Sequence, residues 1–172
     1  DVIGNREAIS KIKSWLSKWE KGTPKKKALL LYGPPGVGKT VTVEALANDL
    51  NFELMESNAS DDRRESDIKG LIGIASQYST LLGKKRIILL DEIDGISGTA
   101  DRGGLNAIIK IMRESRCPIL LTANNAFNPR FSQLRRECDL VEFKKPTRAE
   151  IVSLLKRICR SEGIEADPEA LK

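Results

Sequence analysis

Apolar positions along this chain follow two rhythms that alternate. Ile9, Ile12, Trp15, Leu16 and Trp19 recur at steps of three and four, the spacing of one face of an α-helix. Asn5 stands where an N-cap belongs and Gly22 where that helix would stop. The two tryptophans lie on the apolar stripe and are read as core rather than as a base-stacking platform. A polar link, Thr23-Pro24-Lys25-Lys26-Lys27, then gives way to the second rhythm, an unbroken run, Ala28-Leu29-Leu30-Leu31-Tyr32. Further strand-like stretches cover 52–56, 87–90, 118–123 and 140–143, those at 52–56 and 140–143 interrupted by glutamates. Four aliphatic residues in a row, as at 87–90, are expected of a strand covered on both faces in a parallel sheet. Helix-favouring stretches separate the runs: 41–50, a segment entered through a polar loop at 57–64 and reaching about Ser76, 105–114, and a short helix after Asn128-Pro129-Arg130-Phe131. Residues 94–104 read as a Gly-rich connection. After Lys144-Lys145-Pro146, a capping box at Thr147-Arg148-Ala149-Glu150 opens an amphipathic helix marked by Ile151, Leu154, Leu155 and Ile158. Ala166-Asp167-Pro168 starts another. Strands and helices in alternation predict an α/β fold with a parallel sheet.

Composition narrows the chemistry. A chain of 172 residues suits one domain, or one domain with part of another. At this length about 70% of the unfolded surface is buried on folding, so no disulfide or metal is required for stability. No run approaches 18 consecutive apolar residues, so no membrane-spanning helix is expected, and no signal-peptide pattern opens the chain. Cys117, Cys138 and Cys159 are far apart and odd in number. They are expected to be reduced core thiols of a cytoplasmic or nuclear protein. The chain has no histidine, which excludes imidazole bases and imidazole metal ligands. Carboxylates, Lys, Arg and backbone amides must carry the chemistry. A net charge of +5 permits contact with nucleic acid without demonstrating it.

Residues 33–40 read Gly-Pro-Pro-Gly-Val-Gly-Lys-Thr and fit the phosphate-binding P-loop, Gly-x-x-x-x-Gly-Lys-Ser/Thr, between a strand and a helix as that motif requires. Glycines at 33, 36 and 38 allow backbone conformations closed to other residues, so their amides can converge on an anion. The helix after them places its positive end at the same point. Lys39 would reach the β- and γ-phosphates, and Thr40 would hold Mg²⁺. The run 87–90 ends in Asp91-Glu92, at the strand tips where open α/β sheets bind ligands. Asp91 would orient Mg²⁺ or its waters, and Glu92 would polarise a water attacking the γ-phosphate. Asn124, at the next strand tip, would reach the γ-phosphate or that water. Carboxylates without histidine favour hydrolysis, and neither the acceptor site nor the Arg-rich lid of a nucleotide kinase is evident. Arg63 and Arg64 fall near a helix start, where cations oppose the helix dipole. A phosphate backbone would relieve them, and so would pairing with Asp61, Asp62 or Glu65.

This order of parts is similar to that of AAA+ ATPases, and within them the chain resembles the replication factor C family of clamp loaders. Glu56-Ser57-Asn58-Ala59-Ser60-Asp61 and Leu121-Thr122-Ala123-Asn124-Asn125 carry the closer resemblance. Asp91-Glu92-Ile93-Asp94-Gly95-Ile96-Ser97-Gly98 and Asp101-Arg102-Gly103-Gly104 are similar to the large subunits, archaeal type. The resemblance covers nearly the whole chain. It implies a five-stranded parallel sheet in the order 5-1-4-3-2, flanked by helices. A nucleotide-binding core would span 1–145, and 146–172 would begin a helical lid. ATP and Mg²⁺ would be bound by Gly33, Pro34, Pro35, Gly36, Val37, Gly38, Lys39, Thr40, Val41, Asp91 and Asn124. Val2, Ile3 and Gly4 match the end of the family's adenine-binding stretch. Lys39, Glu92 and Asn124 would be the catalytic residues.

The implied partners are small AAA+ subunits, a ring-shaped sliding clamp and primer–template DNA. Phosphates of that DNA would meet Arg63, Arg64, Ser97, Thr99 and Arg102. The family's small subunits carry a Ser-Arg-Cys motif whose arginine enters the neighbour's site. Ser115-Arg116-Cys117 has those letters in the wrong place, and Glu137 stands where the arginine would be. The chain is thus expected to accept an arginine rather than donate one, and to be a piece of a longer subunit. Another AAA+ replication or repair ATPase, such as an initiator or a branch-migration motor, and a non-hydrolysing ATP-bound structural subunit are the open alternatives.

Overall fold

The computed structural model describes residues 4–59, 84–96 and 102–164. Five strands, β1 (Ala28–Tyr32), β2 (Glu53–Asn58), β3 (Arg86–Asp91), β4 (Ile119–Ala123) and β5 (Cys138–Glu142), form one sheet. Every pairing is parallel and the order is β2-β3-β4-β1-β5, the expected 5-1-4-3-2 read from the other edge. Tyr32 lies level with Ala123, and Asn58 with Asp91. All strand tips therefore open on one edge of the sheet, which is what a parallel sheet offers a ligand.

The unbroken apolar runs are explained by burial on both faces. Leu30, Ile88, Leu90, Ile119 and Leu121 pack with Ile108, Ile109, Ile111 and Met112 of α3 (Arg102–Glu114) and with Phe131 and Leu134. Leu29, Leu31, Ile87, Leu89, Leu120 and Val141 pack with α1 (Arg6–Lys21) and α2 (Lys39–Asp49) on the other face. Burying each such aliphatic side chain contributes about 1.5–3 kcal/mol. Trp15 and Trp19 are core, edge to face with centroids 5.9 Å apart. A 3-10 turn (Pro129–Phe131) leads into the short α4 (Ser132–Glu137), and α5 (Arg148–Ser161) follows β5.

Several expectations are corrected. Asn5 precedes α1 but caps nothing. Its φ is 52°, and its amide instead donates to the Lys144 carbonyl (3.0 Å) while its Oδ1 accepts from the Lys144 amide (2.8 Å). The side chain fastens the entrance of α1 to the exit of β5. β2 runs on to Asn58, because Ser57 and Asn58 pair with Leu90 and Asp91. α3 begins at Arg102, three residues earlier than its apolar spacing suggests. The stripe on α5 exists but is uncovered among the described residues: Ile151, Leu155 and Ile158 are all exposed. Cys117 and Cys138 are buried core thiols, and burial pushes Cys138 up to about 12. Cys159 is only half-buried. Among the described residues no helix is long and apolar enough to cross a membrane.

Candidate nucleotide-binding site

Residues after β1 turn across the sheet edge under tight constraint. The Gly33 amide donates to the Ala123 carbonyl (3.2 Å), and the Phe143 amide donates to that of Tyr32 (2.7 Å). These bonds wedge the start of the loop between β4 and the end of β5. Gly36 and Gly38 have φ of 74° and 89°, left-handed values that favour glycine. Gly38 is the residue before α2, so the free amides of that helix and its positive end face the loop.

Lys39 and Thr40 occupy the first turn of α2. Lys39 is buried (8% exposed). It donates to the carbonyls of Gly33 (2.8 Å) and Pro34 (2.9 Å) and to Oδ1 of Asn124 (3.1 Å), which uses all three of its donors. Burial lowers its pKa, and Asp94, Asp91 and Glu92 oppose that shift. The Thr40 hydroxyl donates to Asp91 Oδ1 (2.9 Å), and the Thr122 hydroxyl donates to the same oxygen. Thr122 in turn accepts from the Glu92 amide (2.9 Å). Asp91 is thereby fixed from two sides. Glu56, on the neighbouring strand, is held above its ordinary carboxylate value by burial, with Asp91 and Glu44 adding to it. Negative potential thus accumulates around Asp91. A hydroxyl and a carboxylate oxygen in contact are the hard donors Mg²⁺ prefers alongside phosphate and water, so Thr40 and Asp91 fit that ion.

A cavity of about 240 Å³ opens over these groups, lined by Pro35, Gly36, Gly38, Lys39, Thr40, Val41, Asp91, Glu92, Asp94, Thr122, Ala123 and Asn124. That volume is below the roughly 300–1,000 Å³ of sites enclosing a whole small ligand, and the lining suits the phosphate end of a nucleotide. Glu92 enters it from a left-handed backbone (φ 52°, ψ 49°), uncommon for a residue with a side chain. Of the other P-loop residues, Gly33 and Pro34 contribute carbonyls to Lys39, and Val37 is buried in the core beneath α2.

Val2, Ile3, Arg63, Arg64, Ser97 and Thr99 lie outside the described residues, and Arg102 opens α3. Sequence reasoning missed three residues here. Thr122 is the polar residue in the otherwise apolar β4, which was a usable signal. Asp94 accepts from the Asn124 amide. Arg130 donates to the carbonyls of Asp94 (2.6 Å) and Ile96 (2.8 Å). Their partners are backbone groups distant in sequence, and no residue pattern marks them.

Residues 29–145 match the family described as "ATPase family associated with various cellular activities (AAA)". The chain belongs to the AAA family. It is similar to the replication factor C large subunits of Thermofilum pendens (48% identical over 99% of this chain and 42% of the relative) and Methanothrix thermoacetophila (46%, 99% and 36%). That of Staphylothermus marinus is 44% identical over 100% of this chain and 41% of the relative. The chain thus spans well under half the length of these relatives.

The two places where this AAA chain was read against an arginine donor are both settled into internal contacts. Ser115 is buried, its hydroxyl donating to the Cys117 carbonyl (2.7 Å) and accepting from the Cys117 amide (3.0 Å). Ser115-Arg116-Cys117 is thus a turn ahead of β4. Glu137 binds Arg113 at 2.5 Å, and Arg135 donates to the carbonyls of Ala126 (2.7 Å) and Asn128 (3.1 Å).

Proposed function

We propose that this chain is the ATP-binding and hydrolysing module of a DNA sliding-clamp loader. The observation that carries the reading is the convergence of Lys39, Thr40, Asp91, Glu92 and Asn124, from three separate stretches of chain, on one cavity at the strand tips. The likeness to replication factor C large subunits supports a clamp loader over other AAA machines.

P-loop amides and the start of α2 would hold the phosphates. Lys39 would exchange the Gly33 and Pro34 carbonyls for β- and γ-phosphate oxygens. Thr40 and Asp91 would hold Mg²⁺, which supplies charge neutralisation on the phosphates when bound. Glu92 would orient and deprotonate the attacking water, and Asn124, already hydrogen-bonded to Lys39, would align with the γ-phosphate. The core would span 1–145 and a helical lid would begin at 146, with Val2 and Ile3 against the base. In the assembly, small AAA+ subunits would supply the missing arginine. The arc would grip a sliding clamp and close on primer–template DNA. Arg63, Arg64, Ser97, Thr99 and Arg102 would touch phosphates, so binding should be independent of sequence and weaken with salt.

The test uses the full-length chain assembled with its small subunits. Glu92→Gln should keep ATP binding and lower hydrolysis by about 10²–10⁴, with clamp loading stalled before release. Unchanged hydrolysis would remove Glu92 as the base. Loading that survives the loss of hydrolysis would make this a structural subunit, and hydrolysis indifferent to the clamp would point to another AAA+ machine.

A further inference from the structure

The Glu92 turn and the Asn124 tip are tied together by groups that the reaction itself does not use. From Glu92 the chain makes a 3-10 turn (Ile93–Gly95), closed by the Gly95 amide on the Glu92 carbonyl (2.8 Å). The Asp94 carboxylate in that turn lines the cavity and accepts from the Asn124 amide. Asn124 is therefore held at both ends, by Asp94 through its backbone and by Lys39 through its side chain. The far side of the turn is gripped by Arg130. Its two terminal nitrogens reach the carbonyls of Asp94 (2.6 Å) and Ile96 (2.8 Å), and its guanidinium carbon lies 4.6 Å from the centroid of the fully buried Phe131 ring. A planar fork spanning two carbonyls while stacked on a ring is a geometry open to arginine and closed to lysine.

We propose that Arg130 and Asp94 are positioning residues for hydrolysis, fixing the turn that carries Glu92 against the strand tip that carries Asn124. The inference rests on the ATPase reading above. Its physical basis is that the groups addressing the water and the γ-phosphate must keep one spacing. Glu92 sits in an uncommon backbone conformation that the surroundings must maintain. Misplacing a reacting group by about 1 Å costs roughly a hundredfold in rate.

In the full-length chain assembled with its partner subunits, three quantities decide the matter for Arg130→Gln, Arg130→Lys, Asp94→Ala and Asp94→Asn: single-turnover hydrolysis at saturating ATP, ATP affinity, and thermal midpoint. Arg130→Gln, Arg130→Lys and Asp94→Ala should slow hydrolysis by about tenfold to a hundredfold while ATP affinity stays within about threefold. Asp94→Asn, whose Oδ1 still accepts from the Asn124 amide, should restore most of the rate. The inference is overturned if the slowed variants hydrolyse like the wild type. It is equally overturned if rate falls only in step with ATP affinity or folded fraction, or if Asp94→Asn is as slow as Asp94→Ala. Failure of the ATPase reading looks different: the wild-type assembly itself would not turn over.

Discussion

A Cβ at Gly33 would stand 2.1 Å from the Phe143 carbonyl oxygen, at a φ of 151° that side-chain-bearing residues rarely adopt. The obstacle is backbone, and the neighbouring Phe143 amide is bonded to Tyr32, so neither side can yield without opening the β1–β5 ladder. Gly33→Ala should therefore destabilise the fold by about 3 kcal/mol or more, read from chemical denaturation. Gly36 offers a contrast. Nothing stands within 4 Å of its Cβ position and only its φ of 74° opposes a side chain, so Gly36→Ala should cost about 1–2 kcal/mol. Equal losses at the two sites would show that the close approach at Gly33 is not what matters. Lys39→Ala removes a buried cation that is bonded three times. It should weaken ATP binding by about tenfold or more by titration calorimetry, with the fold retained.

α5 is the element whose sequence and structure agree best at its start and least along its face. Both halves of the capping box form: the Thr147 hydroxyl accepts from the Glu150 amide (3.3 Å) and Glu150 accepts from the Thr147 amide (2.7 Å). The Thr147 amide first, and then the Thr147 hydroxyl, which donates to Glu150 Oε2 (2.9 Å), hold the Glu150 carboxyl below its ordinary value of 4.5. Its contribution is therefore present above pH 4.5 and is lost as the pH falls through the lowered value. Amide exchange over 150–161, taken relative to the intrinsic rate at each pH, should quicken on that descent. Thr147→Ala, which removes about 1 kcal/mol of cap, should quicken it at neutral pH and flatten the acid response. The strands were legible for a related reason: a strand buried on both faces has only one kind of side chain to offer, and β1, β3 and β4 spell it out. The P-loop and Asp91-Glu92 were legible because phosphate chemistry requires those residue types beside one another. The Asn5–Lys144 clasp, the Asp94 bond and the Arg130 fork were not, since a side chain that seeks a backbone carbonyl or amide can find one beside any residue. The apolar stripe of α5 was legible as a helix face, but a stripe says nothing about what lies against it.

For the whole molecule, the charge balance of the cavity decides how it should behave alone. Among the described residues Lys39 is the only cation lining it, against Asp91, Glu92 and Asp94. A triphosphate brings further negative charge into that lining, and more still gathers on its oxygens as the γ-phosphoryl group transfers. Mg²⁺ at Thr40 and Asp91 would offset part of it, so chelating the ion should sharply weaken ATP binding. The remainder calls for another cation. Among the described residues no arginine lines the cavity, and nearby Arg130 and Arg135 are engaged with carbonyls and Arg113 with Glu137. An arginine supplied by a neighbouring subunit is worth about 10³–10⁵ in rate. The isolated chain should therefore bind ATP in the presence of Mg²⁺ yet hydrolyse it slowly, and adding the small AAA+ subunits should raise turnover by a factor in that range. The measurement is steady-state phosphate release by the chain alone and after stepwise addition of each small subunit, with Glu92→Gln as the baseline. Fast release by the chain alone, unaltered by any partner, would mean that the cavity holds its full complement of charge already and that no neighbour completes it.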